Sequence, residues 1–429
     1  MRVVYTALLY IALPFVFARL LWRSRKIPEY RRRWNERLGW YSSRSNIPKS
    51  TYALWLHAVS VGEVEAALPL VHALQNRYPQ YQIVITTTTP TGSSRVRSMF
   101  GESVCHVYLP YDLPGPVHRF LTHFQPMLAM IMETELWPNL YLACRGRKIP
   151  LILVNGRMSP RSYRGYQKVP GLIRETLACF HHLAVQTRQD ARRFQALGAA
   201  PEKITVTGNL KFDVEWPVKL AEEAAAFRTK YWPERLILIG ASTHEGEEVA
   251  LVKAYQKLRK TCPNLLLILA PRHPDRIASV VQLCQKAGFT LALRSQKDCR
   301  GDEDIFLLDT LGELKLFYSL ADIAFVGGSL VPAGGHNVLE PARAGVPVLF
   351  GPYMTNAPEV AQGLEQAGGG IRVDGVDSLT REISRLLGIA ETRQQIGRRG
   401  QQFLLQNQGA LERTLGLLAL LLTPARRRP

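Results

Sequence analysis

Short apolar runs alternate with amphipathic stretches along almost the whole chain. The runs "YALWLHAVS" (52–60), "QIVITTTT" (82–89), "MLAMIM" (127–132), "IPLILVNGR" (149–157) and "HHLAVQT" (181–187) are largely apolar, with no regular polar face. That pattern predicts parallel strands buried on both sides. Between them, "EVEAALPLVHALQNRY" (63–78) places Ala66, Leu70 and Leu74 four residues apart, the stripe of a helix with one buried face. Strand and helix in alternation predict a doubly wound α/β domain over 51–212. Prolines and charge interrupt the pattern at 213–235, which predicts an interdomain linker. A second series follows: "LILIGAS" (236–242), "NLLLILAPR" (264–272), "DIFLLDT" (304–310), "DIAFVGGS" (322–329) and "VPVLFGP" (346–352). It predicts a second α/β domain over 236–429, closed by a terminal helix that ends before "TPARRRP". Two such domains suggest a cleft between them.

Ahead of the first domain, "VVYTALLYIALPFVFARLLW" (3–22) is apolar apart from Thr6 and Arg19. About 20 such residues cross a bilayer as a helix. Arg23, Arg25, Lys26, Arg31, Arg32 and Arg33 follow it, so a spanning helix would leave the rest of the chain on the cytoplasmic side. The pattern favours spanning; the alternative is a helix lying on the membrane with its basic flank on anionic headgroups. Residues 1–50 are thus expected to be an anchor and a basic juxtamembrane linker, with "YSSRSNIPKS" (41–50) as its polar end.

Charge narrows the partners. The 429 residues carry a formal net charge of +19, which points to a polyanionic partner. Zinc-finger spacing, heptads and RNP-like aromatics are missing, so nucleic acid is not indicated and the membrane explains the charge more economically. Six cysteines without a C-x-x-C pair fit packing in a reducing compartment. The phosphate-loop, G-x-S-x-G and H-E-x-x-H patterns are absent as well. The D-x-D of Asp302 and Asp304 reads as solvated surface in a charged loop, not as a metal site.

Ligands of open α/β sheets bind beyond the carboxyl ends of the strands. There, "HAVSVGE" offers Glu63 at a predicted helix start. It either complements the helix N-terminus or acts as a general base kept ionised by the same dipole. "METELWPN" sets Glu133 and Glu135 after a strand, on one face if the chain stays extended. Lys211 in "GNLKFD" is either a solvated lysine or a cation for a departing phosphate. Arg272, after Pro271 in "APRHP", suits phosphate recognition. Gly240, Ser242 and Thr243 read as a helix start, either an N-cap or an anion site. "VGGSLVPAGGHNVLEPARAGVPVLFG" (326–351) sets Gly327, Gly328, Gly334 and Gly335 beside His336, Asn337 and Glu340. Glycines let backbone approach a ligand, and Asn337 and Glu340 share a face of a helix beginning there. A carboxylate so placed can accept both hydroxyls of a ribose.

Taken together, "HAVSVGE", "TTTTPTGS", "YLPYDLP", "METELWPN", "GNLKFD", "STHEGEE", "PRHP", "GELKLFY", "FVGGSLV" and "GGHNVLE" resemble, nearly end to end, the 3-deoxy-D-manno-octulosonic acid (Kdo) transferases of lipopolysaccharide synthesis. The resemblance implies an α/β GT-B glycosyltransferase fold, two Rossmann-like domains with the acceptor on the first and the nucleotide on the second. It implies transfer of Kdo from CMP-Kdo to a lipid A precursor (lipid IVA) at the cytoplasmic face of the inner membrane, without cofactor or metal. Glu63 would be the base, Glu133 and Lys211 would stabilise the transition state, and Pro271, Arg272, Gly312, Glu313, Leu314, Asn337, Val338, Leu339 and Glu340 would bind CMP. At Val338 family members often carry another residue, which matters little if backbone makes the contact. A UDP-sugar-dependent GT-B transferase, or a non-catalytic membrane scaffold binding nucleotide or anionic lipid, are the competing readings.

Overall fold

The computed structural model describes residues 1–25, 27–41, 52–213, 216–296 and 299–422. The chain divides into two compact units, Met1–Asp213 with Gln408–Pro429, and Val214–Asn407. The polar stretch 42–50, Lys26 and the basic tail after Leu422 lie outside the described residues.

The first unit is built on strands β1 (Tyr52–His57), β2 (Tyr81–Thr87), β3 (Cys105–Tyr108), β4 (Pro126–Met132), β5 (Leu151–Gly156), β6 (His182–Val185) and β7 (Ile204–Val206). They form a parallel seven-stranded sheet in the order β3-β2-β1-β4-β5-β6-β7. Side chains alternate across a strand, and both faces here are covered. Ala53 and Trp55 enter one core with Phe120 and Phe180, whereas Leu54 and Leu56 enter the other with Leu70 and Leu74. Double coverage is why the central strands read as unbroken apolar runs. The predicted stripe is real: Ala66, Leu70 and Leu74 are buried on helix Val61–Arg77.

The second unit repeats the design with β8 (Leu236–Thr243), β9 (Leu265–Pro271), β10 (Leu291–Leu293), β11 (Ile305–Leu307), β12 (Ile323–Val326), β13 (Val348–Phe350) and β14 (Gly370–Arg372). Its parallel sheet runs β10-β11-β9-β8-β12-β13-β14. Leu238 and Leu267 face one core, Ile237 and Ile268 the other.

Four expectations change. The terminal helix, assigned by pattern to the second domain, is two helices broken at Gly409, whose φ of 95° suits a residue without Cβ. After the break, helix Ala410–Leu422 belongs to the first unit, where Leu415, Leu418 and Leu422 join the core of Leu70 and Leu74. Asp213 receives it, accepting the N–H groups of Gly409 and Leu411, both at 2.7 Å.

The presumed linker 213–235 contains helix Leu220–Tyr231, and Ala224 and Trp232 are buried in the second unit's core. Part of the presumed juxtamembrane linker is likewise integral to the first unit. Arg37 is buried, stacks over Tyr108 at 4.3 Å and donates to the Thr88 carbonyl, and Glu36 accepts the Tyr108 N–H at 2.8 Å.

The D-x-D loop is solvated surface at Asp302 but not at Asp304. Asp304 is buried, pairing with Arg259 at 2.5 Å and accepting the Thr290 N–H. Neighbouring Glu303 is buried too and accepts the Trp232 indole N–H at 2.7 Å. These acids fasten the loop to the sheet, and burial without partners would have been costly.

Candidate functional sites at the strand ends of each unit

In the first sheet, connections leave β1 toward β2 on one side, while β4 lies on the other, so the chain's winding reverses between β1 and β4. Such a reversal opens a crevice at the carboxyl ends of the two strands. Glu63 follows β1, and Glu133 and Glu135 follow β4.

Local chemistry aims Glu63. Ser60 is the N-cap of helix Val61–Arg77, and its Oγ accepts the Glu63 N–H at 3.4 Å. The Glu63 carboxylate in turn accepts from the Val59 N–H at 2.8 Å and the Ser60 hydroxyl at 3.0 Å. This reciprocal arrangement is a variant of the capping box, with the Val59 N–H in place of the N-cap N–H, so the helix-start reading of Glu63 is structurally correct. It does not keep the group ionised as the dipole argument expects. Burial, with the charge of Glu133 beside it, pushes the Glu63 carboxyl up to about 7, although both accepted hydrogen bonds oppose the shift. Desolvation of a carboxylate outweighs the helix terminus here. Burial and Glu133 also push Glu135 up to about 7.

Glu133 and Glu135 do not continue the strand. Glu133 has a φ of 55°, so the chain turns there, with its N–H held by the Val154 carbonyl at 3.0 Å. Asn155, at the end of β5, also has a φ of 55°. Backbone held in the left-handed region by non-glycine residues is strained, and such strain collects at functional sites. Asn155 is fully buried, and its Oδ1 accepts the Leu210 N–H at 3.0 Å. That bond positions the short turn Leu210–Phe212 and hence Lys211, whose Nζ lies 4.0 Å from where a Cβ on Gly62 would stand. The fold therefore brings Glu63, Glu133, Glu135 and Lys211 into one neighbourhood. Sequence reasoning passed over Asn155; the signal was a single amide inside the apolar run "LILVNG".

In the second sheet the winding reverses between β8 and β12. Ser242 and Thr243 belong to β8 itself, and the following helix Glu247–Leu258 starts later, with Gly246 as N-cap; neither residue is the cap that the sequence suggested. Ser242 has a φ of 53°, another strained strand end.

Glu247, also passed over, carries the architecture of the glycine loop. It is fully buried, and its carboxylate accepts the N–H groups of His244 at 2.9 Å, Gly328 at 2.7 Å, Ser329 at 2.9 Å and Leu330 at 2.9 Å. One acid thus ties the end of β8 to the loop after β12. Across the same reversal His244 Nε2 and His336 Nε2 are 2.9 Å apart, with rings stacked at 5.1 Å. Burial and the positive charge of Arg272 lower the His336 imidazole to about 4, so it stays neutral.

The loop glycines are needed for contact. A Cβ on Gly327 would meet the Ser242 carbonyl oxygen at 2.4 Å and Thr243 Cα at 2.7 Å. Gly327→Ala is expected to cost roughly 1–3 kcal/mol or more, because both neighbours are backbone and must move. Thermal unfolding of the full chain would read this, and an unchanged midpoint would contradict the close approach.

The sequence-predicted second-unit residues lie at carboxyl strand ends. Pro271 closes β9 and Arg272 follows it, exposed, its N–H bonded to the Thr243 carbonyl at 3.0 Å. Among the described residues the Arg272 guanidinium has no carboxylate partner, which leaves its charge available to an anion. Asn337, Val338, Leu339 and Glu340 follow the loop after β12. Helix Leu339–Arg343 begins later than expected, so Asn337 precedes it and does not share its face with Glu340; Asn337 Oδ1 accepts the Leu339 N–H at 3.0 Å. Gly312, Glu313 and Leu314 follow β11, separated from β12 by β9 and β8. Glu313 is engaged by Arg294 at 2.6 Å, whose guanidinium holds its carboxyl below the usual range.

The combination of a buried acid cluster on one doubly wound unit and a glycine loop at the winding reversal of the other agrees with comparison to known proteins. Residues 32–214 match the family described as 3-Deoxy-D-manno-octulosonic-acid transferase (kdotransferase). A 3-deoxy-D-manno-octulosonic acid transferase of Haemophilus influenzae is 42% identical over 97% of this chain and 98% of its own length. That of Bordetella pertussis is 34% identical, again covering 97% of this chain and 98% of the relative. Among solved structures, the UDP-GlcNAc 2-epimerase of Neisseria meningitidis superposes with a TM-score of 0.56 at 15% identity, covering 86% of this chain and 100% of that one, a likeness of GT-B fold alone. By near-complete coverage at this identity, the chain belongs to the 3-deoxy-D-manno-octulosonic acid transferase family.

Proposed function

We propose that the protein moves Kdo from CMP-Kdo to a lipid A precursor, lipid IVA, by a single inverting displacement. The observation that carries this is the buried Glu63, oriented by its bonds to the Val59 N–H and the Ser60 hydroxyl and raised to about 7, beside Glu133 and within reach of Lys211. A general base is most effective when its pKa lies near working pH. In the reaction the Glu63 carboxylate takes the proton of an acceptor hydroxyl. That oxygen bonds to the anomeric carbon while the bond from this carbon to the CMP phosphate oxygen breaks, and CMP departs with the electron pair. Glu133 stabilises the cationic character on the sugar, and Lys211 the charge on the leaving phosphate. Fixed charges of this kind lower the barrier because they need no reorganisation.

In this reading the first unit binds the acceptor and the second binds the donor. Arg272 after Pro271 meets the phosphate, Glu340 accepts the ribose hydroxyls, and the backbone of Gly312, Glu313, Leu314, Asn337, Val338 and Leu339 completes the CMP site. The two strand-end regions support the assignment because each lies at a reversal of winding, where α/β sheets bind ligands. The enzyme acts at the cytoplasmic face of the membrane: all six cysteines are free, as suits a reducing compartment.

Full-length protein incubated with CMP-Kdo and lipid IVA, with UDP-sugars in parallel, should give a product heavier by Kdo in the mass spectrum. Product formed from a UDP-sugar and none from CMP-Kdo would keep the fold and overturn the donor.

A further inference from the structure

Helix Arg2–Ser24 is long and apolar enough to cross a membrane, but its contacts are those of a helix lying alongside a protein. At 1.5 Å per residue, the stretch from Tyr5 to Ser24 is about 28 Å long. A spanning helix would carry Tyr5 that far from the membrane face on which the rest of the chain sits. Instead, the first unit holds the helix at both ends and in the middle. The Tyr5 hydroxyl donates to Asp112 Oδ2 at 2.9 Å, and Thr6 exchanges hydrogen bonds with the Asn139 amide at 3.0 and 3.1 Å. Phe17 packs against Trp34 at 5.2 Å and Tyr111 at 5.9 Å between ring centres. Ser24 accepts from Arg31 at 2.8 Å.

The partners at the N-terminal end are built parts of the fold. Asp112 and Asn139 are both buried. Asp112 also accepts the Asn139 N–H at 3.1 Å and the Leu140 N–H at 2.7 Å, and so starts helix Pro138–Gly146. Tyr5 and Thr6 therefore join a network that the domain needs in any case.

The outward face is apolar. Val4, Leu8, Ile11 and Phe15 succeed one another at helical spacing and are exposed, Ile11 at 66% and Phe15 at 73%. A continuous apolar stripe of this kind marks an interaction surface. Its surroundings select the partner: Arg2, Arg19, Arg23 and Arg25 are exposed on or beside the helix, and Trp22 is exposed among them. An apolar face with a basic flank and an interfacial tryptophan fits an anionic phospholipid surface.

We propose that this helix lies in the plane of the membrane, its inner face docked on the first unit through Tyr5–Asp112 and Thr6–Asn139 and its outer face in one leaflet of an anionic bilayer. The chain then never crosses the membrane, and the first unit is held against the headgroups.

The test uses the full chain bound to sealed vesicles of phosphatidylethanolamine and phosphatidylglycerol, with the two units outside. In a Thr6→Cys, Asn139→Cys double variant, oxidation should join the two positions in the membrane-bound protein, identified by peptide mass spectrometry to separate them from native cysteines. In a separate Arg2→Cys variant, an impermeant maleimide added outside should label residue 2. Ile11→Glu with Phe15→Glu should weaken vesicle binding by about 10²–10⁴-fold, from two apolar side chains at about 1.5–3 kcal/mol each. A helix that crosses would give no cross-link and would shield residue 2 until the vesicles were opened, which would overturn the proposal. Vesicle affinity unchanged by the paired glutamates would overturn lipid as the occupant. None of these readouts uses transfer activity, so the inference stands or falls apart from the proposed reaction.

Discussion

Glu63→Gln is expected to lower Kdo transfer by about 10²–10⁴-fold, the usual contribution of a positioned general base, while CMP-Kdo binding stays near its original affinity. The amide keeps the size of the side chain and can still accept the Val59 N–H, so the helix start survives. What it loses is the capacity to take a proton. For the unaltered enzyme, kcat/KM should fall about tenfold per pH unit below about 7 and level off above it, since only the ionised carboxylate acts as base. Near-normal turnover by the variant, or a profile flat through neutrality, would remove Glu63 from this role.

The same substitution should change stability in the opposite sense. Glu63 is raised in the folded chain from 4.5 to about 7, so its burial is tolerated best when it is protonated. Its contribution to folding is fully present below pH 4.5 and is lost as the pH rises through 7. Glutamine carries no charge to desolvate. Glu63→Gln should therefore be the more stable protein at pH 8, by at most about 3 kcal/mol, and the advantage should vanish in acid. Paired thermal melts at the two pH values check this, and a gain that is the same at both would exclude desolvation as the cause.

The second large effect is expected at Glu247. Glu247→Ala removes the acceptor of four backbone N–H groups, those of His244, Gly328, Ser329 and Leu330. Each donor left buried without a partner costs about 1–3 kcal/mol, so the loss is several kcal/mol. It falls on the second unit, and CMP binding should disappear with the glycine loop's conformation. Glu247→Gln should fail nearly as badly, because one end of the amide presents hydrogens to N–H donors. Calorimetric unfolding together with CMP titration separates the outcomes. A variant that melts normally and still binds CMP would show that the loop is held by other contacts.

Legibility followed burial. The central strands β1, β4, β8 and β12 are covered on both faces, so their apolar runs stand out from neighbouring sequence without reference to any partner. The strands missed by the pattern, β3, β7, β10 and β14, are the outer strands of the two sheets. They are three or four residues long and partly exposed, and nothing in "CHVY" or "GIR" marks a strand until a neighbour pairs with it. Glu63 and Arg272 could be singled out because they follow apolar runs at strand ends, and Lys211 because it stands at the junction of the two α/β series. Asn155 and Glu247 escaped because their importance lies in backbone groups distant in sequence.

The amino-acid order alone thus determined two doubly wound units, the families of residues at their strand ends and the apolar N-terminal helix, since each is encoded by neighbours within a few positions. Long-range packing decided everything that depends on who sits beside whom. It sent the last helix to the first unit, because Leu415, Leu418 and Leu422 find a core there. It buried Asp304 beside Arg259 where the local composition reads as surface. It laid the N-terminal helix along Asp112 and Asn139. It also set the protonation of Glu63: a helix N-terminus favours the charge, but enclosure beside Glu133 opposes it more strongly, and that enclosure exists only in the folded chain.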